Sequence, residues 1–308
     1  MILPKVSKVR LGVIGSSSMV GSRFCELILS QFDLIEADLH GEIIVDLTKR
    51  KTVKDFFEKQ EFSWVILLSA FTDVDEAEKQ RNDQNGNCWQ INVEGTRNVL
   101  SFCQRYNRKL LFISTDFVFD GENGPYSEDD EPGGRMEKIS WYGLSKLKAE
   151  RVVKENLKDF VIMRISYPYR AKFAPKDDFA KTILRRYRMG TLFPMFADQK
   201  ITPTFIDDLA AAVALIIREN QRGFFHLASP QVTNPYDFAC ELITVFGGDV
   251  EEVQKGSLVK SFNKKEVIAP RPVNGGLKVA RISKAGLAPT GWRQGIRRIF
   301  DQSNGQLI

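Results

Sequence analysis

Tyr142 and Lys146 stand four residues apart in Tyr142-Gly143-Leu144-Ser145-Lys146. Residues 141–157 read as a helix, so both side chains project from one face. An ammonium beside a phenol favours the phenolate, which would let Tyr142 exchange a proton near neutral pH. Upstream, Ser114-Thr115-Asp116 follows Lys109-Leu110-Leu111-Phe112-Ile113, an apolar run suited to a buried strand. Thr115 then falls at the carboxyl end of that strand, where open α/β sheets hold their ligands, and its hydroxyl could steer a substrate oxygen. A Tyr/Lys spacing also occurs on solvated helices, so the elements that must position the pair decide its meaning.

The first of these elements is the β-rich run Val9-Arg10-Leu11-Gly12-Val13-Ile14, which ends at Gly15-Ser16-Ser17-Ser18-Met19-Val20-Gly21 and leads to a helical pattern over 22–31. A strand, a small-residue turn and a helix give a dinucleotide's pyrophosphate close backbone approach and a helix N-terminus. Gly15, Ser18 and Gly21 occupy the three positions of a Gly-x-x-Gly-x-x-Gly turn, with Ser18 in place of the middle glycine and still able to donate to phosphate. Met19 and Val20 complete the turn. Residues 32–38 read as a second strand ending in Asp38, about twenty residues after the turn, where a carboxylate meets ribose hydroxyls and favours NADH over NADPH, a preference that the nearby His40, Lys49 and Arg50 can blunt. Residues 43–47 read as a short third strand whose Asp46, beside Leu47, could reach an adenine amino group.

A helix over 52–61 and a buried strand over 64–68 follow, ending in Ser69-Ala70-Phe71-Thr72, small enough for the most part to let a ribose and nicotinamide lie on the backbone. A long helix runs through Asn92, Gly95 and Val99 to Tyr106. After the Tyr142 helix, 160–164 reads as a sixth strand. Unbroken alternation of strand and helix predicts an α/β fold, a Rossmann-like doubly wound parallel sheet. Beyond it lie helices over 177–189, 206–218 and 235–246, a strand over 223–228 and Pro/Gly-punctuated connections. These predict a smaller α+β lobe that closes over the substrate. The expected division is 1–164 for the cofactor-binding domain and 165–308 for the mainly substrate-binding lobe, with some segments returning to the first. Basic residues from Arg164 to Lys200 and from Arg271 to Arg281 are candidate anion contacts.

With 43% hydrophobic and 27% charged residues, the 308-residue chain has ordinary globular composition and the length for a large core. Its net charge of +5 arises from 44 basic and 39 acidic residues mixed along the chain, so nucleic-acid binding has no basic block to support it. The four cysteines are dispersed and there are two histidines, so no metal site is expected and a reducing compartment is. No apolar run approaches membrane-spanning length, and the few residues before the first strand leave no room for a signal peptide. A cytoplasmic location is expected.

Taken together these residues resemble the dTDP-4-dehydrorhamnose reductase family, within the extended short-chain dehydrogenase/reductases. The resemblance spans nearly the whole chain: the glycine turn, Leu34 to His40, Ala70 to Glu78, Ile91-Asn92, Ser114 to Asp120, Tyr142 to Lys146, Phe179 to Thr182, Asp198-Gln199 with Pro203-Thr204, and Arg271-Pro272. It implies hydride transfer from NADPH or NADH to the C4 ketone of a nucleotide-linked 4-keto-6-deoxy sugar. Tyr142 would be the proton donor, Lys146 would bind the nicotinamide ribose, and Thr115 would hold the ketone oxygen. Val74, Asp116, Tyr167, Lys200 and Arg271 would meet the substrate. Three positions depart from the family pattern. Arg23 stands where members that pair through magnesium have Glu, so a homodimer would not be metal-bridged. Tyr167 replaces a sugar-contacting Trp, and Arg271-Pro272-Val273-Asn274-Gly275-Gly276 lacks one contact. Two alternatives stay open: a nucleotide-sugar dehydratase or epimerase, which Phe117 after Thr115-Asp116 disfavours for want of a Glu base, and a cofactor-binding regulatory subunit resembling the β subunit of methionine adenosyltransferase.

Overall fold

The computed structural model describes residues 8–263 and 269–308. The expectation about a leader falls on residues 1–7, outside the described residues. Strand β1 (Arg10–Ile14) runs into the glycine turn and helix α1 (Met19–Ile28) leaves it. The helix opens earlier than the 22–31 expected because Ser18 caps it, its Oγ accepting from Gly21 N–H at 3.0 Å. Then come β2 (Asp33–Ala37), α2 (Arg50–Lys59) and β3 (Trp64–Leu67).

The third strand expected over 43–47 does not form. The backbone beyond β2 makes one isolated bridge, Asp38 to Ile44, then turns away with Ile44 exposed, while Val45 and Leu47 pack into the core. The long helix expected up to Tyr106 is also interrupted: after α3 (Val74–Glu78) and α4 (Asn87–Trp89), residues Gln90–Glu94 form a π-helical turn before α5 (Gly95–Arg105). Gly95 lies so close to Leu47 that a Cβ would come within 2.7 Å of its side chain, so the helix must change pitch where it crosses that segment.

Strand β4 (Lys109–Thr115), helix α6 (Trp141–Asn156) and β5 (Phe160–Ile165) complete the first half. The second half contains α7 (Phe179–Arg188), β6 (Met195–Phe196), α8 (Asp208–Arg218), β7 (Gly223–Leu227), α9 (Pro235–Val245), β8 (Lys255–Gly256), α10 (Leu258–Asn263), α11 (Ala280–Lys284) and α12 (Trp292–Ser303). The main sheet has the order β2-β1-β3-β4-β5-β7 with every pair parallel. Chain order reverses between β1 and β3, and a crevice opens outside their carboxyl ends.

Apolar side chains fill both faces of the sheet: Phe24, Ile28, Val213 and Ile216 from α1 and α8 on one, and Phe56, Phe57, Val99 and Val153 from α2, α5 and α6 on the other. A separate cluster around Tyr169, Phe205, Phe238, Trp292 and Ile299 forms the core of the smaller lobe, whose two short strands β6 and β8 pair in parallel. Strand β7 and helix α8 come from the second half of the chain yet belong to the main sheet layer. Arg23 of α1 is locked to that layer by a two-pronged contact with Asp207, at 2.7 and 2.6 Å.

Candidate active site

Strand β4 delivers Thr115 to the sheet's carboxyl edge, and a 3-10 turn (Asp116–Val118) bends the chain away. Thr115 caps that turn, its Oγ1 accepting from Phe117 N–H at 3.2 Å. Helix α6 starts at Ser140, whose Oγ accepts from Gly143 N–H at 3.1 Å. A Cβ on Gly143 would stand 2.2 Å from the Phe117 carbonyl oxygen, so only glycine lets the helix press onto the turn. That close approach brings the Tyr142 phenol to Thr115.

Burial holds the Tyr142 phenol above its ordinary range; the neighbouring Thr115 hydroxyl pulls the other way and the nearby Asp116 carboxylate pushes it further up. Lys146 shares the helix face but does not act as expected on Tyr142. Its Nζ donates to the Ile113 carbonyl at 2.7 Å and lies 3.8 Å from the centre of the Phe112 ring. Burial brings the Lys146 ammonium down to about 7, with Glu150 opposing. The expected phenolate gives way to a protonated phenol, the form a proton donor needs.

These three side chains share a cavity of about 910 Å³ with the glycine turn. Gly15, Ser18, Met19 and Val20 line one end, Asp38, Asp46 and Leu47 the next stretch, and Ser69, Ala70, Thr72 and Val74 the edge of β3. Gly15 has φ +92° and no room for a Cβ, which would sit 2.5 Å from the Ser69 nitrogen. Both Asp38 oxygens face main-chain N–H groups, Ser17 at 2.8 Å and Leu39 at 2.7 Å, which fixes the carboxylate at the cavity wall. For Asp46 burial favours the neutral form, but hydrogen bonds from Thr48 and Lys49 outweigh it and hold the carboxyl below its usual range. Ser114 Oγ is buried at the cavity with no hydrogen-bond partner among the described residues. A tight turn, a helix N-terminus, a fixed carboxylate and a spare hydroxyl fit a dinucleotide with its pyrophosphate on the turn.

The opposite wall comes from later in the chain. Tyr167 and Arg271 line it as expected, joined by Phe173, Lys176, Phe179 and Thr182. Arg271 reaches across to Asp75 at 2.8 Å, and Lys176 Nζ donates to Thr72 Oγ1 at 3.1 Å.

Five expected contacts lie elsewhere. Gly21 sits beneath the turn, where a Cβ would come within 2.0 Å of the Gly15 carbonyl oxygen. Phe71 turns its ring into a side cluster with Trp141. Its main chain is clamped by Asn92, which accepts from the Phe71 N–H at 2.9 Å and donates to its carbonyl at 3.1 Å. Asp116 is buried under the cavity floor rather than lining it, taking the Ser166 hydroxyl at 2.7 Å. Burial pushes its carboxyl up to about 6 against that hydrogen bond. Lys200 is exposed, and its main chain pairs with the segment at Asn274. Its buried neighbour Gln199 is the residue that reaches the wall, donating to Tyr167 Oη at 3.0 Å. Arg164 is no anion contact either: it is buried against Glu150, at 2.9 and 2.7 Å, between the rings of Phe119 and Phe224.

A family model described as RmlD substrate binding domain matches residues 9–304. The dTDP-4-dehydrorhamnose reductase of Aggregatibacter actinomycetemcomitans is 26% identical over 304 residues, covering 94% of this chain and 98% of that protein. The protein of the same name from Mycolicibacterium smegmatis is 28% identical over 293 residues, covering 94% and 84%. Among solved structures, dTDP-4-dehydrorhamnose reductase from Bacillus anthracis in complex with NADP superposes with a TM-score of 0.84 at 27% identity, covering 96% of this chain and 99% of that one.

Proposed function

The chain belongs to the family described as RmlD substrate binding domain, and on that premise we infer that it is an oxidoreductase reducing the C4 ketone of a dTDP-linked 4-keto-6-deoxy sugar with NADPH or NADH. The convergence of Thr115, Tyr142 and Lys146 on the cavity that also holds the glycine turn carries the reading.

In this account residues 1–164 hold the cofactor and most of 165–308 close over the sugar. Gly15, Ser18, Met19 and Val20 take the pyrophosphate, with Gly21 allowing the turn to be tight. Asp38 takes the adenosine ribose, Asp46 and Leu47 the adenine, and Ser69, Ala70 and Thr72 the nicotinamide side. When bound, the reduced nicotinamide supplies the hydride for the ketone carbon. Tyr142 Oη gives its proton to the ketone oxygen as negative charge develops there, and Thr115 Oγ1 donates to the same oxygen, holding it in place. Lys146, at the cavity beside Tyr142, would hold the nicotinamide ribose. Val74, Tyr167 and Arg271 frame the sugar nucleotide, with Arg271 suited to its diphosphate. Phe117 stands where the dehydratase alternative needs its Glu base, and Asp116, off the cavity and bonded to Ser166, does not replace it.

No helix among the described residues is long and apolar enough to cross a membrane. A cytoplasmic location agrees with four cysteines that are all free. Any homodimer would not be bridged by magnesium at Arg23, whose guanidinium is paired with Asp207.

The test is cofactor consumption with a panel of nucleotide-linked 4-keto-6-deoxy sugars. Turnover with a dTDP-linked member is expected. Tight binding of cofactor with no turnover on any member would favour the regulatory-subunit reading instead.

A further inference from the structure

Resting on the reductase reading, we propose that Tyr167 is a second phenolic donor to the substrate, selecting for a hydroxyl oxygen on the sugar carbon beside the ketone, and that buried Gln199 is its positioning residue. Tyr167 holds a left-handed backbone conformation, φ 41°, which is costly for an aromatic residue and is found where the surroundings impose it. Its ring is held edge-on to Phe179, at 5.0 Å between centres, and tilted against Phe117 at 6.1 Å. The direction of its hydroxyl proton follows from Gln199.

Gln199 is 2% exposed, and its amide nitrogen lies 3.1 Å from the Pro272 carbonyl oxygen and 3.0 Å from Tyr167 Oη. A main-chain carbonyl can only accept, so the nitrogen and not the oxygen of the amide must face Pro272; the flipped amide would set two acceptors together. The same NH₂ group therefore gives its other proton to Tyr167, whose oxygen accepts. A phenol that accepts from its neighbour keeps its own proton for another partner, and among the described residues none takes it. Burial raises this phenol to about 12, so the proton stays in place across the working pH range.

The place of the donor follows from Phe117. Its ring lies 5.9 Å from the ring of Tyr142 and 6.1 Å from that of Tyr167, so the two phenols flank one phenylalanine. The Asp116 carboxylate raises both phenols, and the Arg271 guanidinium lowers that of Tyr167. Tyr167 thus stands across Phe117 from Tyr142, between the reacting end of the cavity and Arg271. In a 4-keto-6-deoxy sugar the carbon on one side of the ketone bears a methyl group, while the carbon on the other side, C3, bears a hydroxyl. That hydroxyl oxygen is the acceptor the geometry points to.

The experiment compares kcat/KM on a dTDP-linked 4-keto-6-deoxyhexose and on its 3-deoxy analogue. The native protein should prefer the hydroxylated substrate by roughly tenfold or more, the scale of one buried hydrogen bond. Tyr167→Phe keeps the ring and removes the donor; the preference should collapse, the loss falling more heavily on the hydroxylated substrate than on the 3-deoxy analogue. Gln199→Glu keeps the phenol but turns an acceptor toward it, so the proton is drawn inward and the preference should again fall. A purely structural role would depress both substrates alike and leave their ratio unchanged in either folded variant, and that result overturns the proposal. Failure of the native protein to reduce either substrate removes the reductase reading itself, and the proposal with it.

Discussion

Thr115 and Tyr142 meet because Gly143 lets one helix press against one turn, within a stretch that begins at a strand end and runs to the start of α6. Tyr167 and Arg271 reach the same cavity by another route: one is set by Gln199, the other by Asp75 on the far side of the crevice. The first wall is made of regular elements with a fixed register, and the second of connecting segments tied by individual side-chain contacts. On the proposed function the chemistry would belong to the rigid wall and the choice of substrate to the tied one. Loop variation can then alter the sugar without disturbing the proton donor.

The sharpest way to break this division is Tyr142→Phe. It should lower kcat by about a thousandfold while leaving the cofactor Kd within about twofold, because only the proton donor is lost. Stopped-flow rates and a cofactor titration on one preparation check it. A loss spread equally over binding and rate would show that the two walls do not divide the work.

Asp116 lies beneath both walls and tests whether they share a foundation. Its carboxyl is raised by burial to about 6, so the folded chain keeps that proton to higher pH than the unfolded chain does. The stability this contributes is fully present below the ordinary carboxyl range and is lost as pH rises through 6. Relative to Asp116→Asn, the native protein should lose roughly 2 kcal/mol between pH 4 and pH 7, read from denaturant titrations at both values. Parallel stability curves for the two proteins would remove the buried, protonated carboxyl from the account.

Gly143→Ala attacks the rigid wall alone. The added Cβ would stand 2.2 Å from a main-chain oxygen, so α6 must shift, and a stability loss of about 2 kcal/mol with a lowered kcat is expected. Unchanged melting and turnover would mean that the close approach is not needed. Arg271→Ala addresses the tied wall and should have the smallest effect: KM for the sugar nucleotide rises about fivefold with kcat nearly kept, and the salt dependence of KM weakens.

Where neighbours in sequence set the geometry, the reading from sequence matched the structure. The run 109–113 gave β4, the four-residue spacing put Tyr142 and Lys146 on one helix face, and the small-residue turn after β1 lines the cavity. Ser18 looked like a weakened glycine and is in fact the cap of α1. Lys146 was expected to act on the phenol, but the Ile113 carbonyl and the Phe112 ring, on the strand beneath, claim its ammonium. Periodicity suggested a strand over 43–47, yet Val45 and Leu47 alternate inward without a second strand to pair with beyond one bridge. Gln199 was visible only as part of Asp198-Gln199, because its partners Tyr167 and Pro272 are distant in the chain and no local pattern announces them. For the same reason Asp116 and Lys200 looked like substrate contacts: sequence shows a charge beside the site but not which way the side chain turns.

The central claim, that this cavity passes a hydride to a sugar ketone, is tested most directly by following the hydrogen. Reduced cofactor carrying deuterium at its transferable position is incubated with the protein and a dTDP-linked 4-keto-6-deoxy sugar, and the sugar is analysed by NMR. Deuterium is expected on C4 of a newly formed alcohol, one equivalent for each cofactor oxidised. A C4 position without deuterium, or a ketone left intact while cofactor stays bound, would contradict it.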